Sequence, residues 1–135
     1  MTARETKELL GENYIAVILG NGISAHLSAL RLYNRYRVVS VLCGRGEGPL
    51  NLLNFVCGFL QLDFRKNSRL SVEKLLDLAE YHSDCATVLF PVSKESELFI
   101  SENIDALECK YIISTQADGV SHFRRVLNQH SRKGE

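Results

Sequence analysis

The 135 residues suffice for one ordinary domain with a buried core. Its 16 basic and 16 acidic side chains cancel to a formal net charge of zero, which supplies no broad basic field for nucleic acid. No apolar run approaches the roughly 20 residues of a membrane span, and the polar, mixed-charge leader Met1–Asn13 does not read as a signal peptide.

Past that leader, Tyr14–Leu19 is short, β-branched and almost uniformly apolar, the pattern of a strand buried on both faces. A glycine turn follows, then a helix over Ile23–Tyr36 with Ile23, Leu27 and Leu30 on one stripe and Arg31, Arg35 and Arg37 near its carboxyl end. Arg37–Leu42 reads as a second strand, and Gly44–Pro49 as a loop. Leu50–Asn54 is short enough for a single helical turn before a third strand over Phe55–Asp63, which Gly58 weakens.

Ser71 is placed to cap a helix running to about His82, with Val72, Leu75, Leu76 and Ala79 towards the core. Ala86–Phe90 is a fourth strand stopped by Pro91. Ser93 caps the next helix, Glu95 and Glu97 occupy its first turn, and Ile100, Ile104 and Leu107 continue its apolar stripe. Lys110–Ser114 is a fifth strand. Asp118 or Ser121 begins a last helix to Gln129, with Val120, Phe123 and Leu127 near one face, before a polar tail over 131–135. Strands alternating with helices at this spacing predict an α/β, Rossmann-like three-layer sandwich with a five-stranded parallel sheet. The first and fourth strands should lie side by side at its centre. The domain spans 14–116, and 117–135 form a terminal helix and tail that leads into a following domain in a longer parent or, in a free-standing chain, docks on the sheet or on a second copy in a homodimer.

Cys43, Cys57, Cys85 and Cys109 are widely spaced and form no zinc-finger pattern. A reducing, cytoplasmic setting fits them. No serine, cysteine or histidine stands in a nucleophile–base motif, so the chain reads as a non-enzyme.

The candidate site lies at the glycine turn. Gly20-Asn21-Gly22-Ile23-Ser24-Ala25 has the form G-x-G-x-x-A, in which backbone N–H groups and a helix amino terminus face a carboxylate or phosphate. Tight helix–strand packing would explain the same glycines without a ligand. Asn21 and Ser24 add donors, although Ser24 also suits a cap. His26 follows one turn later with no companion ligand residue. Pro91, Ser93 and Glu95 end the fourth strand on the same sheet edge, where open parallel sheets bind ligands. Capping and dipole duty account equally for Ser93 and Glu95.

Two portions together resemble the amino-terminal, pre-ATP-grasp domain of carboxylate–amine ligases, in the D-aspartate ligase-like branch. One is Ala16–Leu30. The other runs from Leu75–Ala79 through Thr87-Val88-Leu89-Phe90-Pro91-Val92-Ser93-Lys94-Glu95-Ser96 to Ile104–Leu107. The resemblance covers about residues 14–115. Lys94 stands where that family prefers aspartate, and the Gly44–Pro49 loop and Gly58 also depart from the branch.

The resemblance implies a non-catalytic, substrate-side domain that helps form the cleft where a carboxylate is phosphorylated and joined to an amine. ATP would enter only through an ATP-grasp domain in the same or another chain, because that fold needs far more chain than follows Ser114. This chain is then a fragment of such a ligase or a stand-alone relative, with a small carboxylate or nucleotide as ligand. A second reading is an NADP-type dinucleotide-binding module, in which Arg45 after the second strand accommodates the 2′-phosphate and Glu47 is the ribose acid or mere loop charge. A third is an interaction scaffold.

Overall fold

The computed structural model describes residues 13–20, 22–44, 57–64, 66–114 and 123–133. The leader to residue 12, Asn21, the stretch 45–56 with Arg45, Glu47 and the expected turn at Leu50–Asn54, and 115–122 with Val120 lie outside the described residues.

Five parallel strands form one sheet: β1 (Tyr14–Leu19), β2 (Val39–Gly44), β3 (Cys57–Gln61), β4 (Ala86–Pro91) and β5 (Ile112–Ile113), in the order β3-β2-β1-β4-β5. As expected, β1 and β4 are neighbours, with Tyr14 opposite Ala86 and Leu19 opposite Pro91. Ala16–Leu19 are at most 1% exposed. Side chains alternate along a strand, so Ala16 and Ile18 enter one core while Val17 and Leu19 enter the other.

The first core packs under α1 (Ile23–Tyr36) and α5 (Phe123–Lys133). The second packs under α2 (Ser68–Tyr81), α3 (Lys94–Glu102) and the single turn α4 (Ile104–Leu107). The crossover from β1 to β2 thus covers one face, and those from β3 to β4 and β4 to β5 cover the other. Crossovers of one hand running in opposite directions must lie on opposite faces.

Several boundaries differ from the sequence reading. On α1 the buried row is Ala25, Ala29, Leu32 and Tyr36, whereas Ile23 is 80% and Leu27 50% exposed. Small side chains let the helix lie close to the sheet, which turns the larger aliphatic row outward. Arg37 belongs to the end of α1, not to β2. It adopts the left-handed conformation (φ 56°), its N–H bonds to Tyr33 O at 2.9 Å, and its guanidinium lies 4.8 Å from the Tyr33 ring centre. The strand therefore starts two residues later.

Ser71 does not cap α2. Asn67 does, accepting from the Leu70 N–H at 3.0 Å, while the buried Ser71 hydroxyl donates to Asn67 O at 2.9 Å. Ser93 caps α3 as expected, in a reciprocal box with the buried Ser96. The stripe Ile100–Ile104–Leu107 is split, because Asn103 ends α3 and its side-chain amide donates to Phe99 O at 2.8 Å. The last helix continues to Lys133, through residues expected in a polar tail.

Phe123 on α5 is fully buried, and its ring meets those of Tyr14, Tyr36 and Phe90 at centroid distances of 5.9, 4.9 and 6.0 Å. Phe123→Ala should therefore cost about 3–5 kcal/mol, the usual range for truncating a buried phenylalanine. Urea unfolding followed by circular dichroism measures it.

Candidate functional site

Because α1 leaves β1 on one face and α3 leaves β4 on the other, a gap opens between them at the carboxyl edge. There the direction of crossover reverses, the usual position for a ligand in such sheets. The gap is a pocket of about 450 Å³, within the small-molecule range. Gly20, Gly22, Ile23, Ser24 and Ala25 form one wall, and Val92, Ser93 and Glu95 the opposite one. Leu62, Asp63 and Phe64, after β3, close a third side over a floor of Leu19, Cys43 and Gly44.

Six of the residues expected at the site, Gly20, Gly22, Ile23, Ser24, Ser93 and Glu95, are thus brought together. Pro91 is not in the lining; it is the buried last residue of β4, opposite Leu19. Asp63 was overlooked as a candidate, although the sheet-edge rule that selected Ser93 also selects the carboxyl end of the third strand. Val92 and Phe64 carry no chemical signature in the sequence and emerge only from the fold.

The two glycines have separate roles. A Cβ on Gly20 would collide with a Val92 methyl group, so Gly20 lets the ends of β1 and β4 pass closely. A Cβ on Gly22 would meet nothing within 4 Å. Gly22 is also extended (φ −91°, ψ −171°), a conformation open to any residue. It caps α1 without a side-chain hydrogen bond, and the first turn holds no acidic residue. By contrast, Asn67 caps α2 and Ser93 caps α3. The leading N–H groups of a helix have no intrahelical partners, so those of α1 meet the pocket with no capping side chain in the way. Ser24 lies in that first turn and does not cap it.

Asp63 and Glu95 place two carboxyl groups on the pocket walls, and no basic side chain lines it among the described residues. Asp63 Oδ1 accepts from the Lys66 N–H at 3.3 Å. Glu95 sits in the first turn of α3, where the helix dipole favours its charge. Cys43 on the floor is buried, and desolvation pushes its thiol pKa up to about 12. It therefore stays protonated at neutral pH and is no nucleophile. His26 does not line the pocket: its Nδ1–H donates to Gly22 O at 2.7 Å, leaving Nε2 buried with no hydrogen-bond partner among the described residues. Among the described residues, no group of three His, Cys, Asp or Glu side chains is placed to hold a metal ion. Nor is any helix among them long and apolar enough to cross a membrane.

No family model matches the chain, and no curated protein matches it.

The glycine roles are separable by stability. Gly20→Ala should cost about 1–3 kcal/mol, as overpacking does. Gly22→Ser should gain about 0.3 kcal/mol by supplying the missing cap. Chemical denaturation of both variants distinguishes them.

Cys43 also gives the fold an alkaline limit. Its pKa is raised on folding, from 9.0 to about 12, so its contribution is complete below pH 9 and is lost as pH rises through that interval. Cys43→Ala should flatten this limb in melting curves between pH 8 and 11.

Proposed function

We propose that this chain is the non-catalytic, substrate-side domain of an ATP-grasp-like carboxylate–amine ligase, binding a small carboxylate in the carboxyl-edge pocket. One observation carries the reading. The two stretches that resemble that family, Ala16–Leu30 and Thr87–Ser96, supply the facing walls of a single pocket at the crossover reversal. The ligand carboxylate would lie over the N–H groups of Ile23, Ser24 and Ala25, where the helix dipole favours negative charge. Asp63 and Glu95 would then meet polar or cationic groups elsewhere on the ligand. Carboxylate phosphorylation and amine attack belong to an ATP-grasp domain in the same or another chain. The pocket itself offers a protonated thiol and a Ser93 hydroxyl engaged in a capping box. A cytoplasmic setting suits this reading.

An NADP-type module is the alternative that one observation favours. Gly44 at the end of β2 lines the pocket, and Arg45 follows it in sequence, where such folds read the ribose.

Thermal shifts with aspartate, glutamate, succinate, ATP and NADPH test these readings. A carboxylate at 100 times its Kd should add about 2.7 kcal/mol of stability, with ATP giving no shift. Gly22→Val should fold normally, given its extended backbone and open surroundings, and should lose the carboxylate shift. A saturable NADPH shift abolished by Arg45→Ala would replace the ligase reading with the dinucleotide one. No shift with any compound would leave an interaction scaffold.

A further inference from the structure

The charges that cancel over the chain are not shared evenly by its two helical layers. On one face of the sheet, α1 with its cap Arg37 and α5 hold seven arginines and lysines and no acidic residue. On the other face, α2, α3 and α4 hold seven aspartates and glutamates against three arginines and lysines. Packing of the apolar rows on the sheet leaves these charges outside: Arg31, Arg35, Arg37 and Arg125 are exposed on the first layer, Asp77 and Glu102 on the second. Arg35 and Arg37 lie 5.5 and 4.8 Å from the ring centres of Tyr36 and Tyr33, contacts that keep their charge. The pairs Arg69–Glu73 and Lys110–Glu80 neutralise only part of the acidic layer. Arg31, Arg125, Asp77 and Glu102 make no ion pair among the described residues.

Both outer faces also expose large apolar side chains beside their charges. Ile23 and Leu27 stand out from α1, while Tyr81 on α2 and Leu98 on α3 are 82% and 59% exposed. The spacing is four residues from Leu27 to Arg31, from Asp77 to Tyr81 and from Leu98 to Glu102. Each of these apolar groups therefore lies one turn from a charge on the same side of its helix.

We propose that the basic α1–α5 face docks on the acidic α2–α4 face of a second copy of the chain. Nucleic acid or an anionic membrane would engage the basic layer alone and leave Tyr81 and Leu98 uncovered. A second copy supplies the opposite charge and covers the apolar groups of both faces. Because the two surfaces differ, the contact is heterologous. A pair of chains still presents one free face of each kind, so association continues into a ring or an open stack. Arg31, Arg125, Asp77 and Glu102 lie outside the lining of the carboxyl-edge pocket, which makes the contact independent of any ligand there.

Sedimentation velocity of the full chain over a concentration series tests the contact. At about 10 mM salt, where charges are screened over about 30 Å, the average mass should climb above the monomer as concentration rises. At about 1 M salt, with screening over about 3 Å, it should fall back to the monomer. The double variants Arg31→Ala with Arg125→Ala, and Asp77→Ala with Glu102→Ala, should each be monomeric where the wild type associates, with unchanged circular dichroism. The first keeps a native acidic face and the second a native basic one. Mixed in equal amounts, they should form a dimer and nothing larger. A wild-type chain monomeric at low salt into the millimolar range would overturn the proposal, whether or not it binds DNA or anionic vesicles. So would association that high salt leaves unchanged, double variants that associate as well as the wild type, or a mixture that stays monomeric.

Discussion

The architecture depends on a central strand that water reaches on neither face. Ala16–Leu19 alternate between two cores, so each face of β1 needs its own layer of helices. A helix returning to β2 can cover only one face, and the second layer must come from crossovers running the other way. β4 starts that opposite course beside β1, and the two following helices diverge above and below the sheet. The carboxyl-edge pocket is therefore a by-product of core burial: wherever β1 is covered twice by helices of one crossover hand, a gap opens at its end.

Within that frame, α1 trades aliphatic burial for closeness. Ala25 and Ala29 bury little apolar area compared with the leucine and isoleucine that face outward. Their small size brings the start of the helix down onto β1, and Gly20 makes the same kind of allowance against Val92. Both compressions act at one place. The amino end of α1 is held near the strand ends, so its leading N–H groups face the pocket instead of standing clear of it.

The alternation of elements and the central pairing of β1 with β4 were legible because long apolar runs such as Tyr14–Leu19 and Ala86–Phe90 have few other uses. Errors clustered where local polar groups decide. Ser71 has the chemistry of a cap, yet Asn67 lies one turn earlier and takes the role, leaving Ser71 to a buried bond with its carbonyl. Arg37 looks like the polar first residue of a strand, but its left-handed backbone satisfies the last carbonyls of α1. Periodicity placed Ile23 and Leu27 in the core because it weighs hydrophobicity and ignores how near a helix must come to its strand. Of the site, the two glycine-turn and Ser93 arms were readable from their position after strands. Asp63 and Phe64 join it through β3, an element whose sequence is less regular and carries Gly58.

The pocket also shows why a lone glycine fingerprint says little about its ligand. Of its two glycines, one exists for packing, and only Gly22 leaves space for an incoming group. Backbone N–H groups attract any anion, so discrimination must come from the surrounding side chains. Here the described walls contribute Asp63, Glu95 and Ser93, and each of the two acidic residues also has interactions of its own within the chain. The glycine turn thus marks where an anion's charge would rest, and the choice of ligand proposed above stands on the likeness of the two facing walls to a ligase domain.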